Sequence, residues 1–334
     1  MTTIDVHAHV IPTPVIAAAS SSEGLFGVRV RDERMSYPSG IAAPLTSDFH
    51  HSGYLLERMD RTGIDLSILS LSPTLFFYDQ TESNAIWFAE LANNAMAEMV
   101  AESDRLAALA HLPMQSPGAA AIELERCVTD LGMCGALVGT NVGLVPLDDP
   151  RFDVLLATAQ RLDVPLSLHP YFDGPKLRLE QYYFTNSIGN PLETCIAAAR
   201  LIHAGTLDRF PALKLVLAHG GGYLPYQLGR LDHAWSVRPE PQRCISQPPS
   251  SYLRRFWFDS LTHGDEALTF LSEVVGIERL LLGTDLPFDM ADQAPVDRIR
   301  RTGLDPARLG LTASELFCKR TGTTAASIAA AISQ

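Results

Sequence analysis

The chain has 334 residues, of which 46% are hydrophobic and 19% are charged, a composition typical of an α/β enzyme with a large buried core. Its formal net charge of -12 argues against nucleic acid or an anionic membrane surface as a partner, because binding to either requires clustered Lys and Arg. No apolar run reaches about 18 residues and the five cysteines form no Cys-x-x-Cys pair, so we expect neither a transmembrane helix nor a zinc ribbon.

The chain opens with a short apolar strand that carries His7 and His9 near its carboxyl end. Residues two apart on a strand point to the same face, so both imidazoles can reach one point. The segment that follows, residues 11–51, contains several prolines and is predicted to be a long irregular loop, of a length that is usually functional. The early polar residues leave no room for a signal peptide and the cysteines are scattered, so a cytoplasmic location is expected.

From residue 53 onwards, apolar runs alternate with helical segments. The runs are continuously apolar, as expected for a parallel sheet that is buried on both faces. Eight such units without a linker predict an α/β fold, a (β/α)8 barrel in one domain over residues 1–334, with a loop insertion after the first strand and a helical tail. The predicted strands are residues 4–9, 65–71, 106–112, 135–139, 164–169, 213–219, 256–260 and 279–285. The alternative is an open doubly wound sheet, but that fold favours a glycine fingerprint where this chain has histidines.

Side chains that can bind a metal lie at the carboxyl ends of four predicted strands. His7 and His9 end the first strand, and the fifth, sixth and eighth strands end with His169, His219 and Asp285. These residues are distant in sequence, but the strand ends of a closed barrel meet at one mouth. His7, His9, His169 and Asp285 offer three nitrogens and one oxygen, a set that suits Zn²⁺ or another divalent ion such as Mn²⁺.

His219 is either a fifth ligand or a base beside a metal-bound water. We favour the base, because an uncommitted imidazole titrates near neutral pH. Asp285 can bind the metal and also accept a hydrogen bond from that water, so His219 and Asp285 are the predicted catalytic residues. His263, which follows the seventh strand, is a weaker candidate for a substrate contact.

The motifs around these residues resemble the amidohydrolase superfamily, in the branch that contains aminocarboxymuconate-semialdehyde decarboxylase. The resemblance covers nearly the whole chain, and its segments are residues 5–9, 168–170, 219–222, 228–235, 248–252 and 283–288. It implies zinc on the same four ligands and an acid/base role for His219. It also implies non-oxidative decarboxylation of a small aromatic or unsaturated, ring-cleavage-derived carboxylate. Hydratases and hydrolases of C–C, lactone or amide bonds share the scaffold and remain alternatives.

The resemblance further implies a homodimer, in which two arginines of the helix after the sixth strand hold a substrate carboxylate in the neighbouring pocket. The matching residues here are Arg230 and Arg238, and a guanidinium fork suits a carboxylate. A third substrate-binding arginine of that decarboxylase is absent, because Ala43 stands at its position. The metal site is therefore kept while the pocket is changed.

The residues that line the changed pocket are predicted from the segments that follow the fifth and eighth strands. A pocket tryptophan of the decarboxylase aligns with Tyr182 or Asn186. The candidate substrate contacts are Tyr171, Lys176, Arg178, Tyr182 and Phe288. A non-catalytic barrel that only binds a partner would lack a ligand of the metal set, and no ligand is missing here.

Overall fold

The continuous apolar runs fold into a closed barrel in the computed structural model, which describes residues 2–38, 42–171 and 178–317. In chain order the strands are β1 (Ile4–Val10), β2 (Arg29–Arg31), β3 (Arg34–Ser36), β4 (Ala42–Pro44), β5 (Leu66–Leu71), β6 (Leu106–Ala108), β7 (Ala110–His111), β8 (Ala136–Gly139), β9 (Asn141–Val142), β10 (Val145–Pro146), β11 (Pro165–His169), β12 (Lys214–Leu217), β13 (Phe256–Asp259) and β14 (Leu280–Leu281). The helices are α1 (Thr13–Ser20), α2 (Ser52–Thr62), α3 (Glu82–Val100), α4 (Pro117–Thr129), α5 (Asp153–Leu162), α6 (Asn190–His203), α7 (Thr206–Arg209), α8 (Leu224–Val237), α9 (Asp265–Val275), α10 (Pro295–Arg301) and α11 (Pro306–Phe317).

Eight parallel barrel strands, called staves below, surround the core. Their order is β1, β5, β6 and β7 together as one stave, β8, β11, β12, β13 and β14. The barrel closes where the first stave meets the last: Val6 N donates to the Leu282 carbonyl at 2.9 Å and His9 N donates to the Leu286 carbonyl at 2.7 Å. Helices cover the outside, so both faces of each stave are buried and its apolar sequence is explained. The predicted (β/α)8 barrel is confirmed.

The insertion after the first strand differs from the predicted irregular loop. It contains helix α1 and a small antiparallel sheet in the order β2, β3, β4. This sheet is attached to the loop after β5 by a hydrogen bond between the Tyr37 and Thr74 hydroxyls at 3.0 Å, and by Phe26, whose ring centre lies 5.1 Å from that of Phe77. Strands of three residues leave no periodic signal in a sequence, so only these tertiary contacts define them.

The sixth and eighth staves end earlier than their apolar runs predict. Strands β12 and β14 end at Leu217 and Leu281, whereas the predicted strands reach His219 and Asp285. Both of these residues adopt the left-handed backbone conformation, with φ of 56° and 61°, and this conformation ends a strand. Their side chains therefore lie on sharp turns just beyond the strands.

The last described helix closes the amino-terminal end of the barrel against β1. Gly310 of α11 lies directly against the start of the chain, where a Cβ atom would stand 1.9 Å from the Thr2 carbonyl oxygen. The predicted helical tail is confirmed as far as Phe317, and the residues that follow lie outside the described part of the chain. In the described ranges, no helix has the combined length and apolarity that a membrane crossing requires.

Candidate metal centre and active site

Four side chains that are distant in sequence converge at the carboxyl-terminal mouth of the barrel. One ligand atom from each of His7, His9, His169 and Asp285 lies within 4.8 Å of the others, and all four residues are buried. His9 Nε2 lies 3.1 Å from both His7 Nε2 and Asp285 Oδ1. Alternation along β1 directs the two first histidines to one face, β11 ends at the third, and the turn after β14 carries the carboxylate.

Hydrogen bonds at the far side of each ring decide which nitrogen faces the centre. His169 Nδ1 donates to the Pro170 carbonyl oxygen at 3.0 Å, and a carbonyl can only accept. His9 Nδ1 donates to the Ser70 hydroxyl at 3.0 Å, because that hydroxyl gives its own proton to the Ala8 carbonyl oxygen. His7 Nδ1 donates to Asp259 Oδ2 at 2.7 Å. Since each Nδ1 carries a proton, each Nε2 can present a lone pair to the centre.

The cluster fits a divalent cation. His169 Nε2 is buried with no hydrogen-bond partner in the described part of the chain. Burial also lowers the pKa of His9 to about 4 and holds the pKa of His169 well below its usual value, so both rings are neutral and able to coordinate. Three buried imidazole nitrogens and a carboxylate at this spacing could together hold a divalent cation.

His7 and Asp285, in contrast to those two neutral rings, are both charged in the absence of a metal ion. Burial lowers the pKa of His7, but the hydrogen bond that His7 donates to Asp259 and the charge of Asp285 outweigh burial and raise that pKa to about 9. Burial alone would raise the pKa of Asp285, yet His219 and His9 hold it well below its usual value. A cation would therefore replace a proton on the His7 ring and face an ionised carboxylate.

Asp259, the last residue of β13, is an organising residue that the sequence interpretation did not single out. Its Oδ2 accepts from His7 Nδ1 and from the His219 backbone N–H at 2.9 Å. Its Oδ1 accepts from the backbone N–H groups of Gly220 at 2.8 Å and Leu261 at 3.1 Å. One buried carboxylate thus orients a ligand ring and fixes the turn that carries His219. The available signal was the same as for the ligands, a polar residue at the end of a predicted strand.

His219 lies at the edge of the cluster, at the start of a tight turn that contains three glycines. Its Nε2 is 3.7 Å from Asp285 Oδ2 and its Nδ1 has no hydrogen-bond partner among the described residues. The turn requires glycine at 222, because φ there is +59° and a Cβ atom would stand 2.0 Å from the Pro191 carbonyl oxygen. His219 is therefore held beside the four ligands and outside their set, where an acid or base would be expected.

An open cleft of about 630 Å³ leads to this cluster, and both His219 and Asp285 line it. Its walls come from the start of α6 and the residues before it, from the start of α8, and from α9 together with the loop that precedes α9. The aromatic residues Tyr223, Tyr226 and Phe270 are part of this lining. The cleft has the size and the mixed polarity of a small-molecule site.

Comparison with known proteins matches residues 4–318 to the family described as Amidohydrolase. The chain belongs to the amidohydrolase family. The predicted superfamily resemblance is thereby confirmed over nearly the whole chain.

Two relatives and one solved structure place this amidohydrolase within its family. The 2-amino-3-carboxymuconate-6-semialdehyde decarboxylase of Dictyostelium discoideum is 35% identical over 242 residues, which cover 72% of this chain and 67% of that protein. The gamma-resorcylate decarboxylase of a Polaromonas strain is 35% identical over 271 residues, 75% of this chain and 80% of its own. The crystal structure of a Polaromonas dihydroxybenzoic acid decarboxylase with bound manganese and 2-nitroresorcinol matches with a TM-score of 0.79 and 29% identity, and covers 95% of this chain and 96% of its own. The amidohydrolase is thus an enzyme of the carboxy-lyase branch.

The predicted substrate contacts of the amidohydrolase do not cluster at one point, unlike its four candidate metal ligands. Phe288 lies next to the cluster, with its ring centre 5.3 Å from that of His9. Tyr171 packs on Phe76 and Tyr78, with ring centres 5.7 Å and 5.5 Å away. Tyr182 is 80% exposed. None of the three predicted contacts is among the described residues that line the cleft.

The predicted cationic contacts lie on the surface of the described chain. Arg230 is exposed on α8, and Arg238 just beyond that helix is paired with Glu240, with Nη2 2.5 Å from Oε1. Arg178 is exposed, while Lys176 lies outside the described residues. Ala43, which stands where the related decarboxylase has its third substrate-binding arginine, lies on β4 and pairs with Met35 of β3.

Several side chains that do line the cleft had no role in the sequence interpretation. They belong to the helices around the mouth, and the residues concerned are Ser187, Asn190, Tyr223, Tyr226, Glu266 and Phe270. Asn186, one of two positions aligned with a pocket tryptophan, is also in the lining, and so is His263. Their helical positions carry no strand-end signal, so the sequence offered no reason to select them.

Proposed function

We propose that this amidohydrolase is a metal-dependent, non-oxidative decarboxylase of a small aromatic or unsaturated carboxylate. The observation that supports this most is the set of three histidine rings, each with its Nδ1 proton committed elsewhere, so that three Nε2 atoms and Asp285 face one point at the end of a cleft. The names of the relatives, decarboxylases of a muconate semialdehyde and of resorcylate, favour this activity over others on the same fold.

We propose His7, His9, His169 and Asp285 as the metal ligands. Three nitrogens and one oxygen suit tetrahedral zinc, while manganese is the ion bound in the similar dihydroxybenzoic acid decarboxylase. A bound divalent ion would attract the substrate carboxylate and polarise a substrate oxygen. Metal analysis of the purified protein, followed by reconstitution of the chelated protein with each ion, distinguishes the two metals.

His219 is proposed to move the proton that decarboxylation requires. When the bond between the carboxylate and its neighbouring carbon breaks, carbon dioxide leaves and that carbon keeps the electron pair. The carbon then takes a proton. His219 lines the cleft with its Nε2 3.7 Å from Asp285 Oδ2, so the His219 ring can supply that proton beside the ionised carboxylate and take another from solvent. Phe288 lies beside His9 and outside the cleft lining, so it would contact the part of the substrate that is held at the metal cluster.

The product of the reaction tests the proposed function. Hydroxybenzoates and ring-cleavage-derived carboxylates are incubated with the metal-loaded protein, and the products are weighed by mass spectrometry. A decarboxylase releases carbon dioxide and leaves a product that is shorter by one carboxyl group. A hydrolase or a hydratase, the alternatives on this scaffold, would incorporate water instead, and either result would replace the proposal.

We also propose a homodimer in the cytoplasm, in which Arg230 and Arg238 reach the cleft of the second subunit. The exposure of Arg230 on α8 is consistent with such a role. Light scattering measures the assembly. Mixing inactive Arg230→Ala subunits with inactive His219→Ala subunits should restore part of the activity, because one mixed cleft would have both residues intact.

A further inference from the structure

The wall of the cleft carries an unexpected negative charge. Glu266 lines the cleft that also contains the ligand Asp285, and no Lys or Arg is among its described lining residues. Glu266 lies in the first turn of α9, which follows β13 and the cleft residue His263. Its carboxylate is exposed, so a molecule in the cleft meets it directly.

Glu266 is also free of the arginines that neutralise its neighbour. Asp265 binds Arg301, with Nε 2.8 Å from Oδ2, and Arg298, with Nη1 3.2 Å from Oδ1. In the described part of the chain, no cation forms an ion pair with Glu266. The other polar groups of the lining include Asn186, Asn190 and Thr262, which are uncharged. Within one subunit, the charge of Glu266 therefore acts on whatever enters the cleft. In the proposed homodimer, Arg230 and Arg238 of the second subunit would hold the reacting carboxylate, and Glu266 would face the rest of the substrate.

A substrate of the proposed decarboxylase places its reacting carboxylate at the metal cluster and the rest of its body in the cleft. A second carboxylate on that body would approach Glu266, and two like charges in a partly enclosed cleft repel each other. Hydroxyl groups would instead find hydrogen-bonding partners in the neutral side chains.

We propose that Glu266 is a specificity-determining residue that restricts the cleft to substrates with one carboxylate, and this inference rests on the proposed function. A carboxylate in the first turn of a helix also interacts favourably with the helix dipole. Asp265 occupies the same turn and already makes that interaction, so the dipole alone does not account for a second acid directed at the cleft.

The test compares ligand preference in three forms of the metal-loaded protein: wild type, Glu266→Gln and the control Glu273→Gln. Glu273 is exposed on the same helix and does not line the cleft, so its change removes the same charge elsewhere. Salicylate is compared with hydroxyisophthalate, which adds one carboxylate to the same ring. Calorimetry gives the dissociation constant of each, and the ratio of the two constants is the readout.

We expect Glu266→Gln to shift the ratio by about three- to tenfold in favour of the dicarboxylate, the range for one charge at about 6 Å in a partly solvated cleft. Glu273→Gln should leave the ratio unchanged. Glu266→Arg should shift it further in the same direction, and high salt should weaken the wild-type preference. An unchanged ratio in Glu266→Gln, or an equal shift in Glu273→Gln, overturns the inference.

Carbon dioxide release is measured separately from binding, so the two proposals can fail independently. A shifted ratio without release of carbon dioxide from any acid supports the role of Glu266 and contradicts the decarboxylase. Release of carbon dioxide with an unshifted ratio supports the decarboxylase and contradicts the role of Glu266. Thermal melting of each variant confirms that the comparison is made between folded proteins.

Discussion

At the scale of single residues, the proposed metal centre depends on the hydrogen-bond partners of its proposed ligands. The hydrogen bond at Nδ1 fixes both the orientation and the tautomer of each of the three histidine rings. The strand-end positions of the four ligands were predicted from the sequence. Asp259 was not, because an acid at a strand end looks the same in sequence whether it binds a metal, orients a ligand or carries a structural hydrogen bond.

The first prediction concerns Asp259. Asp259→Asn keeps the shape of the side chain but removes the charge that holds His7 Nδ1–H and replaces one acceptor oxygen by a donor. We expect a loss of about 10- to 100-fold in metal affinity, measured by titration of the chelated protein. Asp265→Asn, which removes an acid that binds arginines away from the centre, is the control. Equal affinities for wild type and Asp259→Asn would contradict the orienting role.

The second prediction separates ligand from acid/base. His169→Ala removes a nitrogen that faces the centre and should abolish stoichiometric metal binding. His219→Ala should keep the metal and lower turnover by about 10²- to 10⁴-fold, the range for a proton-transferring group. Metal content by mass spectrometry and turnover are measured on the same samples. If both variants lose metal equally, His219 is a fifth ligand.

At the scale of elements, the sequence predicted staves and helices well where an apolar run is long. The run from 164 to 169 and β11 (Pro165–His169) differ by one residue. The eighth run overestimates β14, because the left-handed turn at Asp285 depends on contacts made after folding. The cleft residues that lie on helices, such as Tyr226, Glu266 and Phe270, could not be predicted, since only the barrel defines the relative positions of those helices.

The third prediction tests the turn that holds His219. Gly222→Ala places a Cβ atom against the Pro191 carbonyl oxygen in a backbone conformation that suits only glycine. We expect a loss of about 2–4 kcal/mol in the free energy of unfolding, measured by denaturant titration. Gly229→Ala is the matched control, because its new methyl group meets nothing within 4 Å and lies on α8, so a gain of about 0.5–1 kcal/mol is expected. Similar losses in both variants would show that the turn is not constrained as described.

At the scale of the whole molecule, the proposed metal site joins the first and the last strand of the barrel, which pair with each other to close it. His7 and His9 belong to the first stave, and Asp285 follows the eighth, which pairs with the first through the hydrogen bonds to Leu282 and Leu286. The complete set of proposed ligands exists only in the closed barrel, so a cation binds the closed barrel more tightly than the unfolded chain. Binding should therefore stabilise the entire fold.

The fourth prediction follows from that linkage. Free metal at 100 times its dissociation constant should add about 2.7 kcal/mol to the free energy of unfolding, and so raise the melting temperature of the chelated protein. The measurement is thermal unfolding with and without Mn²⁺ or Zn²⁺. His169→Ala should show no such rise. A rise of equal size in that variant would locate the stabilising ion elsewhere.

The position of Asp285 late in the chain also determines when, during synthesis, the complete metal site can form. During synthesis, three of the four ligands have been added once residue 169 is in place, but the fourth follows more than a hundred residues later. Until then the last stave is missing, and His9 N has no Leu286 carbonyl to bind. A ribosome-bound chain can therefore hold an ion only through an incomplete set of imidazoles, and full loading is confined to the final stage of translation and afterwards.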